Sequence, residues 1–269
     1  MHTKVLIEKG DVSPSFAIDD RIFLGEGLFE TIRVSSSQPC FAELHWQRIS
    51  KSAWQLGIPF DLSLDDWEDC LVQQIKRDNL YHGGMKVILS GGSAPRGLAE
   101  HGQVSQLIIQ TFNYSLHNQS SRLCSASWLR DAANPVYQLK TINYLEAITA
   151  RRQALAKGMD DALFFNMQGH ATETTCANLF LIRGNQLFTP ALDDGVLAGI
   201  TRSRILAYCQ QEGITCLEGA VDKKMLLEAD ALFTTNALQG IKAVASLDAT
   251  NYAVEHEVIS RLQDWFGSL

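Results

Sequence analysis

Two side chains of this chain could share one piece of chemistry: Lys140 and, further along, Glu173. A lysine amine can form a Schiff base with an aldehyde cofactor, and burial that lowers its pKa makes the amine more reactive. A carboxylate beside a pyridine ring can keep the ring nitrogen protonated, which lets the ring accept electrons. Either residue alone is most often a solvated surface charge, so the segments around the pair decide whether this chemistry is present.

A second chemical possibility is an anion site at the start of a predicted helix. A glycine-containing turn leads into Gly199, Ile200 and Thr201, where the helix is predicted to begin. Unpaired backbone N–H groups and the positive end of the helix dipole favour a phosphate at such a position. Arg48, one helical turn after His45, offers a bidentate guanidinium for the same phosphate. An ordinary helix N-terminus and a solvated arginine are the alternatives that these segments alone leave open.

Other kinds of catalytic and metal site are not indicated. His45, His101 and His170 show no metal-ligand spacing, and the chain has no Gly-x-Ser-x-Gly elbow and no glycine-rich dinucleotide or Walker loop. The six cysteines are scattered without a Cys-x-x-Cys pair. We therefore expect no metal site, reduced thiols and a cytoplasmic protein.

Composition limits the classes of partner. Hydrophobic residues make up 46% of the chain and charged residues 20%, the balance of a soluble globular protein. The formal net charge of −7 argues against general binding of nucleic acid. No apolar run is long enough to cross a membrane, and the first residues suggest a strand ending in a turn rather than a signal peptide. A small-molecule substrate is the expected partner.

Strands and helices are predicted in both halves of the chain, on either side of a polar stretch at 113–121. Strands are predicted over 27–34, 85–90, 104–112, 122–128, 161–167, 177–183, 231–235 and 241–246. Helices are predicted over 43–57, 63–79, 143–157, 199–212, 222–228 and 253–266. We expect an N-terminal domain at 1–115, a linker at 116–121 and a C-terminal domain at 122–269, each with α+β layers.

Taken in order, these motifs resemble the fold-type IV family of pyridoxal-phosphate enzymes, which includes branched-chain aminotransferases, D-amino-acid transaminases and 4-amino-4-deoxychorismate lyases. The resemblance covers nearly the whole chain. The matching segments are 25–34, His45 with Arg48, 95–97, Lys140 with Asn143, 172–173, 178–180, 195–202 and 228–230.

The resemblance implies the architecture, the cofactor and its ligands. It implies a smaller N-terminal α/β domain, a larger mixed β-barrel-like C-terminal domain, and a homodimer with sites at the subunit and domain boundary. The implied cofactor is pyridoxal 5'-phosphate, with Lys140 as Schiff-base lysine and catalytic base and Glu173 on the pyridine nitrogen. The other implied cofactor residues are Arg48, Ile200, Thr201, Asn178 and Asn236. Tyr144 is one residue closer to the lysine than the tyrosine that supports the ring oxygen in branched-chain aminotransferases.

The choice of reaction depends on three positions. D-amino-acid transaminases of the family bind the substrate carboxylate with a tyrosine, an arginine and a histidine. This chain matches the arginine with Arg96 and carries Phe29 and Leu98 at the other two positions. The segment 236–241 looks like the corresponding segment of aminodeoxychorismate lyases, although Gly91 stands where relatives often carry arginine.

The expected function is therefore a lyase that converts 4-amino-4-deoxychorismate to 4-aminobenzoate and pyruvate in folate biosynthesis. Arg96, Phe29 and Thr31 are the expected substrate residues. A D-amino-acid or branched-chain transaminase on the same site is the first alternative, and a non-catalytic relative is the second.

Overall fold

The computed structural model describes residues 2–7, 15–116 and 119–267. Contacts divide the chain into two compact units. The first contains Met1–Ser115 with Leu139–Asn143, and the second contains Leu116–Gln138 with Tyr144–Leu269. The domain boundaries expected from the sequence stay a prediction, and residues 117–118 of the expected linker lie outside the described residues.

The first unit is built on a five-stranded sheet with the order β1-β5-β4-β2-β3. Its strands are β1 (His2–Ile7), β2 (Gly27–Ser35), β3 (Gln38–Pro39), β4 (Gly83–Ser90) and β5 (Val104–Phe112). β1 runs parallel to β5, and the other neighbours are antiparallel. The turn expected after β1 lies outside the described residues.

Two helices cover the sheet of the first unit, α1 (Ala42–Leu56) and α2 (Leu64–Arg77). Each buries one stripe of side chains at helical spacing, with Ile49 and Ala53 on α1 and Leu71 and Ile75 on α2. These side chains pack against alternate residues of β2, β4 and β5 to form one core. The Ser63 hydroxyl accepts the Asp66 N–H and begins α2, as the capping pattern predicts.

The second unit contains a closed barrel of six strands, because β8 pairs with β9 at the end of the path β9-β12-β13-β6-β7-β8. The barrel strands are β6 (Ser121–Arg130), β7 (Asp161–Asn166), β8 (Ala171–Thr174), β9 (Asn178–Arg183), β12 (Ala231–Asn236) and β13 (Gly240–Leu247). Leu123, Leu163, Leu179, Leu232 and Val244 alternate with outward-facing residues and belong to one core cluster.

The remaining elements of the second unit extend the barrel sheet or pack on it. The strands are β10 (Gln186–Pro190), β11 (Cys216–Gly219) and β14 (Thr250–Asn251), and the helices are α3 (Leu145–Ala156), α4 (Ile200–Gln211), α5 (Lys223–Leu227) and α6 (Glu257–Gly267). β9 and β10 form the hairpin predicted at Gly184. α6 begins at Glu257 rather than at 253 as predicted, after β14 pairs with β13 and the Ala253 N–H donates to the Asp230 carbonyl at 3.3 Å.

The segment Leu139–Asn143 packs with the first unit, although the expected boundaries placed it in the C-terminal domain. The Phe29 N–H donates to the Lys140 carbonyl at 2.9 Å, and the Ile142 N–H donates to the Gly27 carbonyl at 3.0 Å. These bonds extend the β2 edge by a short bridge that hydrophobic periodicity does not reveal. The linker was predicted from the polarity of its residues, and polarity does not show which distant segments pair through backbone hydrogen bonds.

Candidate active site

Lys140 is positioned by the bridge to β2. The close approach of the Lys140 segment to β2 requires a glycine at position 27. A Cβ on Gly27 would lie 2.8 Å from the Leu89 carbonyl oxygen and 2.9 Å from the Ile142 side chain. Lys140 Nζ lies 4.2 Å from the centroid of the Phe29 ring. The predicted Schiff-base lysine and the predicted substrate residue Phe29 are therefore neighbours.

A second lysine, which sequence reasoning missed, faces the same ring. Lys86 Nζ lies 5.0 Å from the Phe29 centroid. The strand register explains this placement, since Lys86 on β4 pairs with Thr31 on β2, two residues from Phe29. Ammonium groups near an aromatic ring are attracted to its π-electrons. Two positive charges thus flank one apolar side chain, with Thr31 beside them.

Arg48 lies in a buried cluster with Glu30 and His45. Glu30 is 1% exposed and His45 is fully buried. The Arg48 guanidinium donates to both carboxylate oxygens of Glu30, with Nε to Oε1 at 2.8 Å, and His45 Nδ1 lies 2.7 Å from Glu30 Oε2. Since β2 carries Glu30 and α1 carries His45 and Arg48, the cluster fixes the arginine against the sheet. The predicted role of Arg48 on a phosphate stays a prediction.

The charges of this cluster determine its ionisation. Burial alone would raise the pKa of Glu30, but the charges and hydrogen bonds of Arg48 and His45 outweigh burial and lower that pKa to about 2. Burial lowers the pKa of His45, and the Glu30 carboxylate opposes the shift. At neutral pH we therefore assign an ionised Glu30 and a neutral His45 that donates from Nδ1.

Glu173 lies on the pair of residues that closes the barrel. Glu173 on β8 is opposite Asn178 on β9, so the predicted pyridine carboxylate lies on a short strand that the sequence analysis did not predict. Its Oε2 accepts from Asn178 Nδ2 at 3.3 Å and from the Leu197 N–H at 3.2 Å. The Asn178 amide also donates to the Leu197 carbonyl at 2.9 Å. The two predicted cofactor residues are thus joined directly.

Arg130 completes the environment of Glu173 and was missed by the sequence analysis. Its guanidinium is 3.3 Å from Glu173 Oε1 and 2.9 Å from Glu146 Oε2. It also lies over the Phe164 ring at 3.5 Å from the centroid, so it is held on three sides. Arg130 is a charged residue at the end of a strand, and the sequence around it does not indicate a contact with Glu173.

The first turn of α4 has the features of a phosphate site. Gly199 at the N-cap supplies no side-chain hydrogen bond to the helix amides, which leaves donors for a ligand. A Cβ on Gly199 would lie 1.9 Å from Asn178 Oδ1, so only glycine fits beside this asparagine. Ile200 and Thr201 are buried. The helix predicted to hold a phosphate is therefore fixed to the residues that surround Glu173.

Two buried hydroxyls near this helix have no protein partner among the described residues. They are Thr201 Oγ1, in the first turn of α4, and Thr235 Oγ1, on β12. α4 packs on β12. A buried hydroxyl without a partner is costly unless a ligand or water satisfies it. Thr235 was not predicted, whereas its neighbour Asn236 was.

Asn236 lies in a turn, and Arg96 lies in an exposed loop. Asn236 Oδ1 accepts from the Leu238 and Gln239 N–H groups and shapes the turn between β12 and β13. Arg96 is exposed in the loop after β4, and Leu98 beside it is 85% exposed. Arg21 holds this loop by donating to the Gly97 carbonyl at 2.6 Å. The cofactor role of Asn236 and the substrate role of Arg96 stay predictions.

The neighbours of Gly91 leave no room for a side chain at this position. A Cβ at this position would lie 2.7 Å from both the Arg21 Cβ and the Glu26 carbonyl oxygen. Arg21 thus occupies the space beside the position where relatives often carry arginine.

Elsewhere, the described residues contain no group of three or more His, Cys, Asp or Glu side chains that could hold a metal ion, and no described helix is both long and apolar enough to cross a membrane.

Residues 27–247 match the sequence family described as amino-transferase class IV, so the chain belongs to this family. The family depends on pyridoxal phosphate, and its fold-type IV architecture is the α+β, barrel-containing arrangement described above. The predictions of family, fold class and cofactor are confirmed.

Individual relatives carry different activities. A Legionella pneumophila protein of known structure, described provisionally as a 4-amino-4-deoxychorismate lyase, is 59% identical and superposes with a TM-score of 0.96 over 100% of this chain and 99% of its own. The aminodeoxychorismate lyase of Vibrio harveyi is 27% identical over 90% of each chain. The D-alanine aminotransferase of Bacillus licheniformis is also 27% identical, over 86% of this chain and 82% of its own.

The residues present fit the family's cofactor. The α4 N-terminus and the two unpartnered hydroxyls of Thr201 and Thr235 suit a phosphate. Chemically, the Glu173 carboxylate suits a protonated ring nitrogen and the Lys140 amine suits a Schiff base, and both roles stay predictions.

Proposed function

We propose that this chain is a pyridoxal-phosphate-dependent lyase that converts 4-amino-4-deoxychorismate to 4-aminobenzoate and pyruvate. The observation that carries the proposal is the Phe29 ring with Lys140 and Lys86 on it. An apolar ring beside the Lys86 ammonium and the Lys140 amine suits a carbocyclic substrate that bears carboxylates. The 59% identical Legionella protein and the curated Vibrio lyase support the same choice.

Lys140 performs the proton transfers in this proposal. When bound, pyridoxal phosphate supplies an aldehyde that captures the substrate amine and a ring that withdraws electrons. The free amine of Lys140 removes the proton from the carbon that carries the substrate nitrogen. Breaking the neighbouring ether bond then releases enolpyruvate, which gains a proton to become pyruvate, and the carbocycle becomes aromatic. We assign Lys140 Nζ as the group that returns this proton to enolpyruvate.

Positive side chains hold the substrate's two carboxylates. Lys86 has the ammonium that lies with Lys140 on the Phe29 ring, so we assign it to one carboxylate. Arg96 is the candidate for the other, and Thr31 can donate a hydroxyl hydrogen bond from the strand position opposite Lys86. Phe29 has no hydroxyl to offer, which disfavours the tyrosine-based carboxylate binding of D-amino-acid transaminases.

Glu173 holds the ring nitrogen in its protonated form. Arg130, Asn178 and the Leu197 N–H contact the carboxylate oxygens and fix them in one orientation. The same Asn178 amide reaches the loop before α4. The ring end and the phosphate end of the proposed site are thereby connected through one side chain.

A transaminase of D-amino acids or branched-chain amino acids is the second candidate, because the Bacillus D-alanine aminotransferase is as similar as the Vibrio lyase in identity. It would use the same proton abstraction by Lys140. The two are separated by incubating the holoenzyme with D-alanine or leucine and 2-oxoglutarate, and separately with aminodeoxychorismate. We expect pyruvate from aminodeoxychorismate and negligible keto-acid exchange. Rapid exchange without pyruvate release would favour the transaminase.

We also infer a homodimer in the cytoplasm. Ile18, Phe23 and Leu24 are large apolar side chains with 94%, 66% and 60% of their surface exposed, which is typical of a surface that a partner covers. All six cysteines are free thiols, as a reducing compartment allows. Light scattering of the purified protein should give twice the mass of the chain, and a monomer at micromolar concentration would contradict this inference.

A further inference from the structure

One end of the barrel interior contains a recess that is lined by polar side chains. Four of the lining residues each lie two positions along a strand from a core residue of that strand, so they face inward as the core does. They are Ser121 before Leu123, Asp161 before Leu163, Thr234 after Leu232 and Lys242 before Val244. Four strands of the barrel, β6, β7, β12 and β13, therefore meet at this recess.

The volume of the recess limits what can bind there. It measures about 300 Å³ when the space open to solvent is counted, which is at the lower limit of pockets that bind small molecules. A small ion therefore fits the enclosed part of the recess, whereas a larger molecule would extend into solvent.

The two carboxylates of the recess are already paired with arginines. Asp161 Oδ2 accepts from Arg151 Nη1 at 3.1 Å. Asp160 Oδ2 accepts from the Arg122 N–H at 2.7 Å and lies 3.5 Å from Arg122 Nε. The cationic side chains around the recess are those of Arg122, Arg151 and Lys242. Three positive charges thus stand against two negative ones, and the charge left over is that of Lys242.

The polar groups that remain are hydrogen-bond donors. Lys242 forms no ion pair and no side-chain hydrogen bond among the described residues. Ser121 is 5% exposed, and its buried hydroxyl has no partner in the described part of the chain. Such a hydroxyl is costly unless a ligand or water satisfies it. The Gln239 amide lines the same recess and can also donate. An ammonium, a hydroxyl and an amide together suit an anion.

We propose that this recess binds a small oxyanion such as inorganic phosphate through Lys242 and Ser121. The ammonium of Lys242 supplies the opposite charge, and the Ser121 hydroxyl donates to an oxygen of the ion. Hydrogen bonds to an ionised acceptor are stronger than those between neutral groups, so the ion satisfies the buried hydroxyl well. The proposal does not depend on the proposed lyase reaction, because the recess contains none of the residues assigned to the cofactor or the substrate.

The test measures phosphate binding to the holoenzyme, in which the cofactor fills the phosphate site proposed at α4. The thermal midpoint is recorded against the concentration of inorganic phosphate at constant ionic strength, and the cofactor absorbance checks that cofactor content does not change. We expect the wild-type midpoint to rise and to saturate, since an ion that binds only the folded protein stabilises it. A midpoint that does not rise, or that rises without saturation, would overturn the proposal.

Two variants and one control locate the ion. Lys242→Gln removes the charge and Ser121→Ala removes the buried hydroxyl, and each should weaken phosphate binding about tenfold or more. Ser121→Ala loses no protein hydrogen bond, so its midpoint without phosphate should match the wild type, and this variant decides the test should Lys242→Gln fail to fold.

Lys224→Gln is the matched control, because it makes the same change of charge at a lysine whose side chain is 78% exposed and lies outside the recess. It should bind phosphate as the wild type does. Wild-type affinity in either recess variant, or a loss of affinity in Lys224→Gln as large as in Lys242→Gln, contradicts the assignment.

Discussion

At the scale of single residues, Lys140 and Glu173 each lie near a charged side chain that the sequence did not indicate. Lys140 lies on the Phe29 ring with Lys86, and Glu173 is held by Arg130 and Asn178. Motif order suffices to predict Lys140 and Glu173. Lys86 and Arg130 depend on strand register and on packing between distant segments, so no local pattern indicates them.

Glu173→Gln tests the ring-nitrogen assignment. A neutral amide cannot hold a protonated pyridine nitrogen, so we expect kcat to fall by about a hundredfold or more while the protein still binds pyridoxal phosphate. Steady-state kinetics and the cofactor absorbance spectrum measure the two effects. Unchanged kcat with normal cofactor content would contradict the role of Glu173.

Thr201→Val separates a ligand-binding hydroxyl from a structural one. Thr201 Oγ1 has no protein partner among the described residues, so its loss should barely change the urea midpoint of the apoprotein. It should weaken cofactor binding by about tenfold to a hundredfold, since a hydrogen bond to a charged group contributes about 1.5–3 kcal/mol. Thr189→Val is the control: its hydroxyl donates to the Leu179 carbonyl at 2.7 Å, so that variant should lose about 1 kcal/mol of stability and keep its cofactor affinity.

Glu30→Gln tests the buried cluster through pH. The pKa of Glu30 is lowered to about 2 from its ordinary value of 4.5, so its charge stabilises the folded state above pH 4.5. That contribution is lost progressively as the pH falls from 4.5 towards 2. The lowered pKa of His45 makes the folded state lose further stability below about pH 6.5.

In Glu30→Gln, Arg48 loses its anionic partner, and we expect about 3 kcal/mol of destabilisation at pH 7. The difference from wild type should shrink as the pH falls towards 3. Urea unfolding at pH 7, 5 and 3 measures both quantities. A difference that stays constant with pH would show that the pKa of Glu30 is not lowered in the folded protein.

At the scale of elements, β8 and α4 position Glu173, Ile200 and Thr201, which are predicted to bind the cofactor. β8 is four residues long and closes the barrel through the Glu173–Asn178 pair. Its shortness explains why hydrophobic alternation did not predict it. The α4 start was predicted from its glycine-containing turn, but the contact of Gly199 with Asn178 comes from β9, which is distant in sequence.

Gly199→Ala tests the packing of α4 on Asn178. The new Cβ would meet Asn178 Oδ1 at 1.9 Å, so the helix start must move. We expect both cofactor affinity and thermal stability to fall, the latter by about 1–3 kcal/mol. Gly219→Ala is the matched control, since nothing lies within 4 Å of a Cβ at that position. Equal behaviour of the two variants would contradict this account of the α4 start.

At the scale of the whole molecule, the ordered motifs were sufficient to predict the family and the fold class, because both depend on the sequence of elements along most of the chain. The reaction depends on fewer side chains. Phe29 and Leu98 replace groups that would bind an amino-acid carboxylate, and Leu98 is largely exposed. In the proposed function, specificity rests on Lys86 and Lys140, which lie on the Phe29 ring, and on Arg96; of these three, Lys86 was not predicted.

The most direct test of the central claim is continuous detection of pyruvate from aminodeoxychorismate, through lactate dehydrogenase and NADH, with wild type and Lys140→Ala compared at equal protein concentration. We predict steady release by the wild type together with equimolar 4-aminobenzoate. We predict none above background from Lys140→Ala. Pyruvate release that persists in Lys140→Ala, or a cofactor-loaded wild type that releases none, would contradict the account.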